Sequence, residues 1–198
     1  MIVAGLILAG GKSRRMGGRD KAFVELGGKP LIARAIARLS PQVDRLWISA
    51  NGDPAGFAAY GLPVLPDSIP GFAGPLAGVL AGLELAATFG VSHLLSVAVD
   101  TPFFPSDLAT RLADGASGEI AIAARDGRVH PVCGLWPVSC ADALRQALRR
   151  GESRVQDFVA ARAHRLVDFR GETGDPFFNI NTPDDLVMAE RRLAGSAS

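Results

Sequence analysis

The segment Ile2–Lys21, IVAGLILAGGKSRRMGGRDK, limits what this chain can fold into more than any other stretch. From Ile2 to Leu8 it is apolar, interrupted only by Gly5, which is the pattern of a strand buried on both faces. Its character then changes abruptly. Gly10, Gly11, Gly17 and Gly18 are interspersed with Lys12, Arg14, Arg15 and Arg19, and Asp20-Lys21 closes the segment. Glycine lets backbone N–H groups approach a ligand without obstruction by Cβ, and successive inward amides beside fixed cations form an anion site. The expected structure is a polyphosphate-binding loop at the carboxyl end of the first strand of an open α/β sheet, where such folds bind ligands.

Two familiar phosphate loops are excluded. Gly11-Lys12-Ser13 matches the end of a Walker A loop, but the glycine that begins that motif would fall at Leu6. The dinucleotide pattern G-x-G-x-x-G is broken by Gly10-Gly11-Lys12. The chain has three lysines, Lys12, Lys21 and Lys29, against eighteen arginines, and two of the three fall in this loop. A compact ammonium meets phosphate as a point charge, unlike the planar guanidinium fork.

With 198 residues and 48% hydrophobic content the chain can bury one sizeable core, so a single domain is expected over residues 1–194 with a short frayed tail at 195–198. A net charge of +1 gives no reason to invoke nucleic acid or an anionic membrane as partner. Cys133 and Cys140, with His93, His130 and His164 scattered, support neither a zinc site nor a disulfide framework. Without a cleavable signal pattern or an apolar run of membrane-spanning length, the sequence reads as soluble and cytoplasmic with reduced cysteines, and a monomer is expected.

Further along, Ala22–Leu26 reads as a short strand or extended arm, and Pro30 as the first turn of a helix carrying Leu31, Ile32, Ala35, Ile36 and Leu39 on one face. Strands are expected at 45–50, 63–65, 94–99, 120–124, 129–136, 166–169 and 178–181. Helices are expected from Pro75, over 106–114, 139–149 and 154–162, and from Thr182-Pro183-Asp184-Asp185, which supplies an N-cap, a proline at N1 and an acidic first turn. Gly78 and Gly82, four apart, permit close helix–sheet approach. The alternation of strands and helices predicts an α/β fold, a Rossmann-like open, mostly parallel sheet with helices on both faces.

In a parallel sheet all carboxyl ends share one edge, so the glycine-rich loop, Asn51, Asp67 and Asp100, each directly after an apolar strand, should converge. Asp100, after the run LLSVAV, is placed to hold Mg²⁺, which favours one or two carboxylates plus substrate phosphates. Asn51 and Asp67 are ordinary turn residues that could also hydrogen-bond a base or ribose. Asn179 and Asn181 alternate about Ile180 and share a face suited to metal or phosphate contact, or to satisfying loop backbone groups. His130, beside Pro131, reads as structural.

These residues resemble the molybdenum cofactor guanylyltransferases of the bacterial cytoplasm. The resemblance rests on Leu8-Ala9-Gly10-Gly11-Lys12-Ser13-Arg14-Arg15-Met16-Gly17, Asp20-Lys21, Gly74-Pro75-Leu76-Ala77-Gly78, Asp100-Thr101-Pro102 and Phe178-Asn179-Ile180-Asn181-Thr182-Pro183. It implies a Mg²⁺-dependent nucleotidyltransferase that joins GMP from GTP to the phosphate of molybdopterin and releases pyrophosphate. By position it implies GTP contacts at Leu8, Ala9, Gly10, Gly11, Lys21, Asn51, Asp67 and Asp100, with Asp100 on the metal. Lys21, Asp100 and Arg15 would be catalytic, and Asn179 and Asn181 would touch cofactor or metal. Relatives using CTP resemble LAAG where this chain has Leu8-Ala9-Gly10-Gly11, so Gly10 leans towards guanine. Family members often carry Asn-x-Asn after the second strand where this chain has Ser49-Ala50-Asn51, which leaves Ser49 or Asn51 as the contact. Other molybdenum-cofactor proteins and molybdoenzyme chaperones are implied partners. A cytidylyl or sugar-phosphate nucleotidyltransferase, or a non-catalytic GTP-binding maturation partner, remain the alternatives.

Overall fold

A computed structural model describes residues 1–10, 20–69, 74–171 and 174–195. The opening apolar run forms β1 (Val3–Leu8), buried at every residue. It is followed by β2 (Glu25–Leu26), β3 (Lys29–Pro30), α1 (Leu31–Leu39), β4 (Arg45–Ser49), β5 (Val64–Leu65) and α2 (Pro75–Thr88). The chain continues through β6 (His93–Ala98), α3 (Leu108–Ala113), β7 (Ile120–Arg125), β8 (Arg128–Pro137), α4 (Ala141–Arg149), α5 (Val155–Ala160), β9 (His164–Asp168) and α6 (Pro183–Gly195).

Seven strands make one sheet in the order β5-β4-β1-β6-β8-β7-β9. Pairs β4–β5, β1–β4, β1–β6 and β7–β9 are parallel, while β8 runs antiparallel to both β6 and β7. The mostly parallel sheet expected from the alternation of elements is therefore present, with one reversed strand. Alternate residues of β1 feed two cores: Val3 and Ile7 pack with α1, α3 and α6, and Ala4, Leu6 and Leu8 with α2, α4 and α5.

Helix α2 approaches the sheet closely because of two glycines. A Cβ on Gly78 would lie 2.4 Å from Ser49 Oγ and 2.8 Å from Leu8 Cδ2, and one on Gly82 would lie 2.8 Å from Leu94 Cδ2. On the same face the indole N–H of fully buried Trp136 donates to Ser96 Oγ at 2.8 Å, and that hydroxyl donates to the Val132 carbonyl at 2.8 Å. Ser96→Ala strands both partners inside the protein. The expected loss is about 1–3 kcal/mol, read as a lower urea midpoint at unchanged slope.

Three local expectations are corrected. Lys21–Phe23 is a 3-10 turn, capped by the Asp20 carboxylate accepting from the Ala22 amide at 3.0 Å, and only Glu25–Leu26 of the expected strand is extended. Pro30 closes the small β2–β3 hairpin and lies just outside α1, its backbone extended. That hairpin turns at Gly27 and Gly28, both at positive φ (55° and 67°), which glycine adopts without strain. Residues 178–181 form no strand, because β6 already has β1 on one side and β8 on the other. The final helix runs on to Gly195, and residues 196–198 of the expected tail lie outside the described residues.

Candidate active site

Four strand ends are brought level by register. Leu8 pairs with Ser49 on one side and Ala98 on the other, and Ser49 pairs with Leu65. The residues that follow, Ala9-Gly10, Ala50-Asn51, Pro66-Asp67 and Val99-Asp100, therefore lie along one edge of the sheet. Main-chain bonds fix this edge: the Ala9 amide donates to the Ser49 carbonyl, Ala50 to Leu65, and Val99 to Leu8.

At the centre of the edge Lys21 meets Asp100. The ammonium lies 2.6 Å from Asp100 Oδ2 and 2.7 Å from Asn181 Oδ1. Both charged side chains are largely covered, 13% and 18% exposed. Asp100 is held through its main chain as well, its carbonyl accepting from the Ile180 amide at 2.9 Å. The neighbouring hydroxyl of buried Thr101 donates to Asn179 Oδ1 at 3.0 Å. Asn181 is thus linked to Asp100 through the shared Lys21 ammonium, and Asn179 is bonded to the next residue, Thr101. Ile180 between them is fully buried, as alternation predicted, although the backbone is a loop.

Beyond β4 and β5 a second polar pair forms. Asn51 Nδ2 donates to Asp67 Oδ2 at 2.8 Å, and the Asp67 amide donates to Asn51 Oδ1 at 3.0 Å. This reciprocal pairing fixes the Asn51 amide and, among the described residues, engages the Asp67 carboxylate through Oδ2. The next residues are anchored to α2 and α4: Ser68 donates to Glu84, Glu84 is paired with Arg145 at 3.0 Å, and Ile69 packs on the α2 side of the core.

Past Asp100 on the other side is a cleft of about 470 Å³ bordered by Thr101, His130, Pro131, Cys133, Phe177 and Asn179. Its wall is an irregularity in β8. Ile122 pairs with Gly134, but the next residue, Ala123, pairs with His130, so residues 131–133 bulge out of the β7 ladder. Proline has no N–H to give such a ladder, and Pro131 sits at the break. The His130 ring, mostly buried, stacks on Phe177 at 4.4 Å between centroids. Burial lowers its pKa, so it is neutral at pH 7. Burial also pushes the Cys133 thiol up to about 12, with the Asp100 charge acting in the same direction, so it is no nucleophile.

The chain as a whole has counterparts among known proteins. The model of the MobA-like NTP transferase domain matches residues 5–166. A molybdenum cofactor guanylyltransferase from Cereibacter sphaeroides is 52% identical over 197 residues, covering 100% of both chains. The chain belongs to the molybdenum cofactor guanylyltransferases. Another member of that family, from Mesorhizobium japonicum, is 48% identical, covering 99% of this chain and 98% of its own length. The crystal structure of molybdopterin-guanine dinucleotide biosynthesis protein A from Archaeoglobus fulgidus superposes with a TM-score of 0.81 at 25% identity, covering 97% of this chain and 99% of that one.

Set against the family resemblance, Lys21, Asp100, Asn179 and Asn181 lie together, and Asn51 and Asp67 form their own pair on the same edge. Ser49 is buried under α2 at Gly78, which leaves Asn51 as the exposed side chain of the two. The Leu8 side chain belongs to the core and its carbonyl accepts from Val99, Ala9 is buried, and Gly10 is exposed. Gly11 and Arg15 lie outside the described residues. The cleft beside Asp100 is what sequence reasoning missed. Pro131 within an otherwise continuous strand pattern was the available signal.

Proposed function

We propose that this chain transfers GMP from GTP to the terminal phosphate of molybdopterin and releases pyrophosphate. Guanylyl transfer to the molybdenum cofactor is the activity its relatives are named for. The observation that supports these residues as the site is the meeting of Lys21 and Asp100 between the Asn51–Asp67 pair and the cleft. A triphosphate lying along the sheet edge would place its base at Asp67 and its α-phosphate beside Asp100, with the acceptor in the cleft next to Thr101 and Asn179.

A phosphate oxygen of the acceptor attacks the α-phosphorus in line. The bond from that phosphorus to the oxygen bridging to the β-phosphate breaks, and pyrophosphate takes the electron pair. Both reactants are anions and the nucleophile is already ionised, so the protein's contribution is positioning and charge stabilisation, with no general base. Lys21 stabilises the departing phosphates, assisted by Arg15 and the loop amides about Gly10 and Gly11. Asp100 suits Mg²⁺: one carboxylate beside two side-chain amides, to be completed by substrate phosphates, is a magnesium-type donor set. Among the described residues no group of three or more His, Cys, Asp or Glu offers a self-sufficient metal cage. Bound there, the ion would supply charge neutralisation on the phosphate oxygens.

Guanine selection rests on Asp67, whose Oδ1 can accept from the N–H groups on the guanine pairing edge. Asp67→Ala is expected to lower the kcat/KM preference for GTP over CTP and ATP by about tenfold or more, the loss of one hydrogen bond to a charged group. Pyrophosphate release with each nucleotide, using molybdopterin or a sugar phosphate as acceptor, tests the whole assignment. Preference for CTP moves it to the cytidylyl branch, and turnover with a sugar phosphate to that class. GTP binding without pyrophosphate release makes the chain a silent maturation partner. Among the described residues no helix is long and apolar enough to cross a membrane. We place the reaction in the cytoplasm, carried out by a monomer that passes its product to other molybdenum-cofactor proteins and molybdoenzyme chaperones.

A further inference from the structure

We propose that Asp185, in the first turn of α6, is a positioning residue for Lys21, acting through Asn181. The inference rests on the role given above to Lys21. Asn181 is exposed and lies outside any helix or strand, yet its side-chain oxygen meets the Lys21 ammonium at 2.7 Å. An exposed loop amide keeps such an aim only if its backbone is fixed. Ile180, buried and bonded to the Asp100 carbonyl, fixes one side. Asp185 fixes the other: Oδ2 accepts from the Asn181 amide at 2.9 Å and from the Thr182 amide at 2.9 Å.

This is more than a helix cap. In the usual capping box the residue at the third helical position reaches back to the N-cap amide alone, and the N-cap hydroxyl accepts in return. Here the reciprocal part is present, with Thr182 Oγ1 accepting from the Asp185 amide at 3.1 Å. The carboxylate also takes the amide one residue earlier, which helix capping does not require and which belongs to the residue that holds Lys21. The Asn181 amide foremost, then the Thr182 hydroxyl and amide, hold the Asp185 carboxyl below the usual carboxylate range. The links are continuous: Asp185 to the Asn181 backbone, Asn181 to the ammonium, the ammonium to Asp100.

The scarcity of lysine makes this hold directly observable. A chain labelled with carbon-13 lysine has three Cε signals, from Lys12, Lys21 and Lys29, and Lys21→Met identifies the one that matters. Asp185→Ala is expected to move the Lys21 signal towards the free-lysine position and to lower kcat about tenfold, with KM for GTP changed less than twofold. Asp185→Glu, which can still reach both amides, keeps signal and kcat within twofold of the parent. Thr182→Ala removes the reciprocal cap bond without touching the Asn181 amide, and lowers thermal stability while leaving the Lys21 signal in place. The proposal is overturned if Asp185→Ala leaves that signal unmoved, or if Thr182→Ala moves it as far. Should Asp185→Ala fail to fold, Asp185→Ser, too short to reach the Asn181 amide, replaces it with the same expectations. Full turnover in Lys21→Met would instead sink the role given to Lys21, while the signals would still decide whether Asp185 holds it.

Discussion

Asp100→Asn is expected to lower pyrophosphate release at saturating GTP and molybdopterin at least about 100-fold, the range set by removing one preorganised electrostatic contact from a transition state. The substitution is nearly isosteric. It leaves the main-chain bond from Ile180 untouched and keeps a polar partner for the Lys21 ammonium, so the fold should survive. What disappears is the charge. Asp100 is 18% exposed at the mouth of β6, where water screens little, and among the described residues no group of three or more His, Cys, Asp or Glu offers another metal cage. Turnover should be followed against magnesium concentration, with GTP binding measured separately. Activity within threefold of the parent at every magnesium level would remove Asp100 from the chemistry.

Lys21→Met should lower turnover by a similar factor, about 100-fold, and Lys21→Arg should not restore it. The ammonium occupies a space defined by two oxygens, Asp100 Oδ2 at 2.6 Å and Asn181 Oδ1 at 2.7 Å, and its side chain is 13% exposed. A guanidinium is wider, planar and committed to a forked geometry, so it cannot occupy this point between two acceptors without displacing one of them. Steady-state kinetics on both variants checks this, and arginine supporting more than a third of parental turnover would show that any cation suffices. The effect should appear mainly in kcat, because in the proposed reaction Lys21 acts on charge that grows as pyrophosphate departs.

The alternation of apolar runs with helical faces determined the sheet, and placing Asn51, Asp67 and Asp100 on one edge needed only the knowledge that parallel strands end together. Pairing within that edge was not legible. Nothing in the spacing of Lys21, Asp100 and Asn181, separated by up to 160 positions, says which oxygens the ammonium will find. The alternation of Asn179, Ile180 and Asn181 gave the correct faces but the wrong backbone, since side-chain periodicity is blind to whether a neighbouring strand edge is free. Pro131 marked the break in β8, but whether a bulge opens a cleft or merely kinks a strand depends on Phe177 and Asn179, which arrive from far along the chain. Asp185 was read as helix chemistry because its longer reach, to the Asn181 amide, has no sequence signature.

The reversal of β8 has a consequence for how two substrates share so small a molecule. A strand running with its neighbours would deliver its finish to the working edge. Running against them, β8 instead delivers its beginning there, Arg128 to Cys133, directly beside the end of β6. On the proposed reading, donor and recipient then sit on opposite flanks of one aspartate, side by side on a continuous sheet.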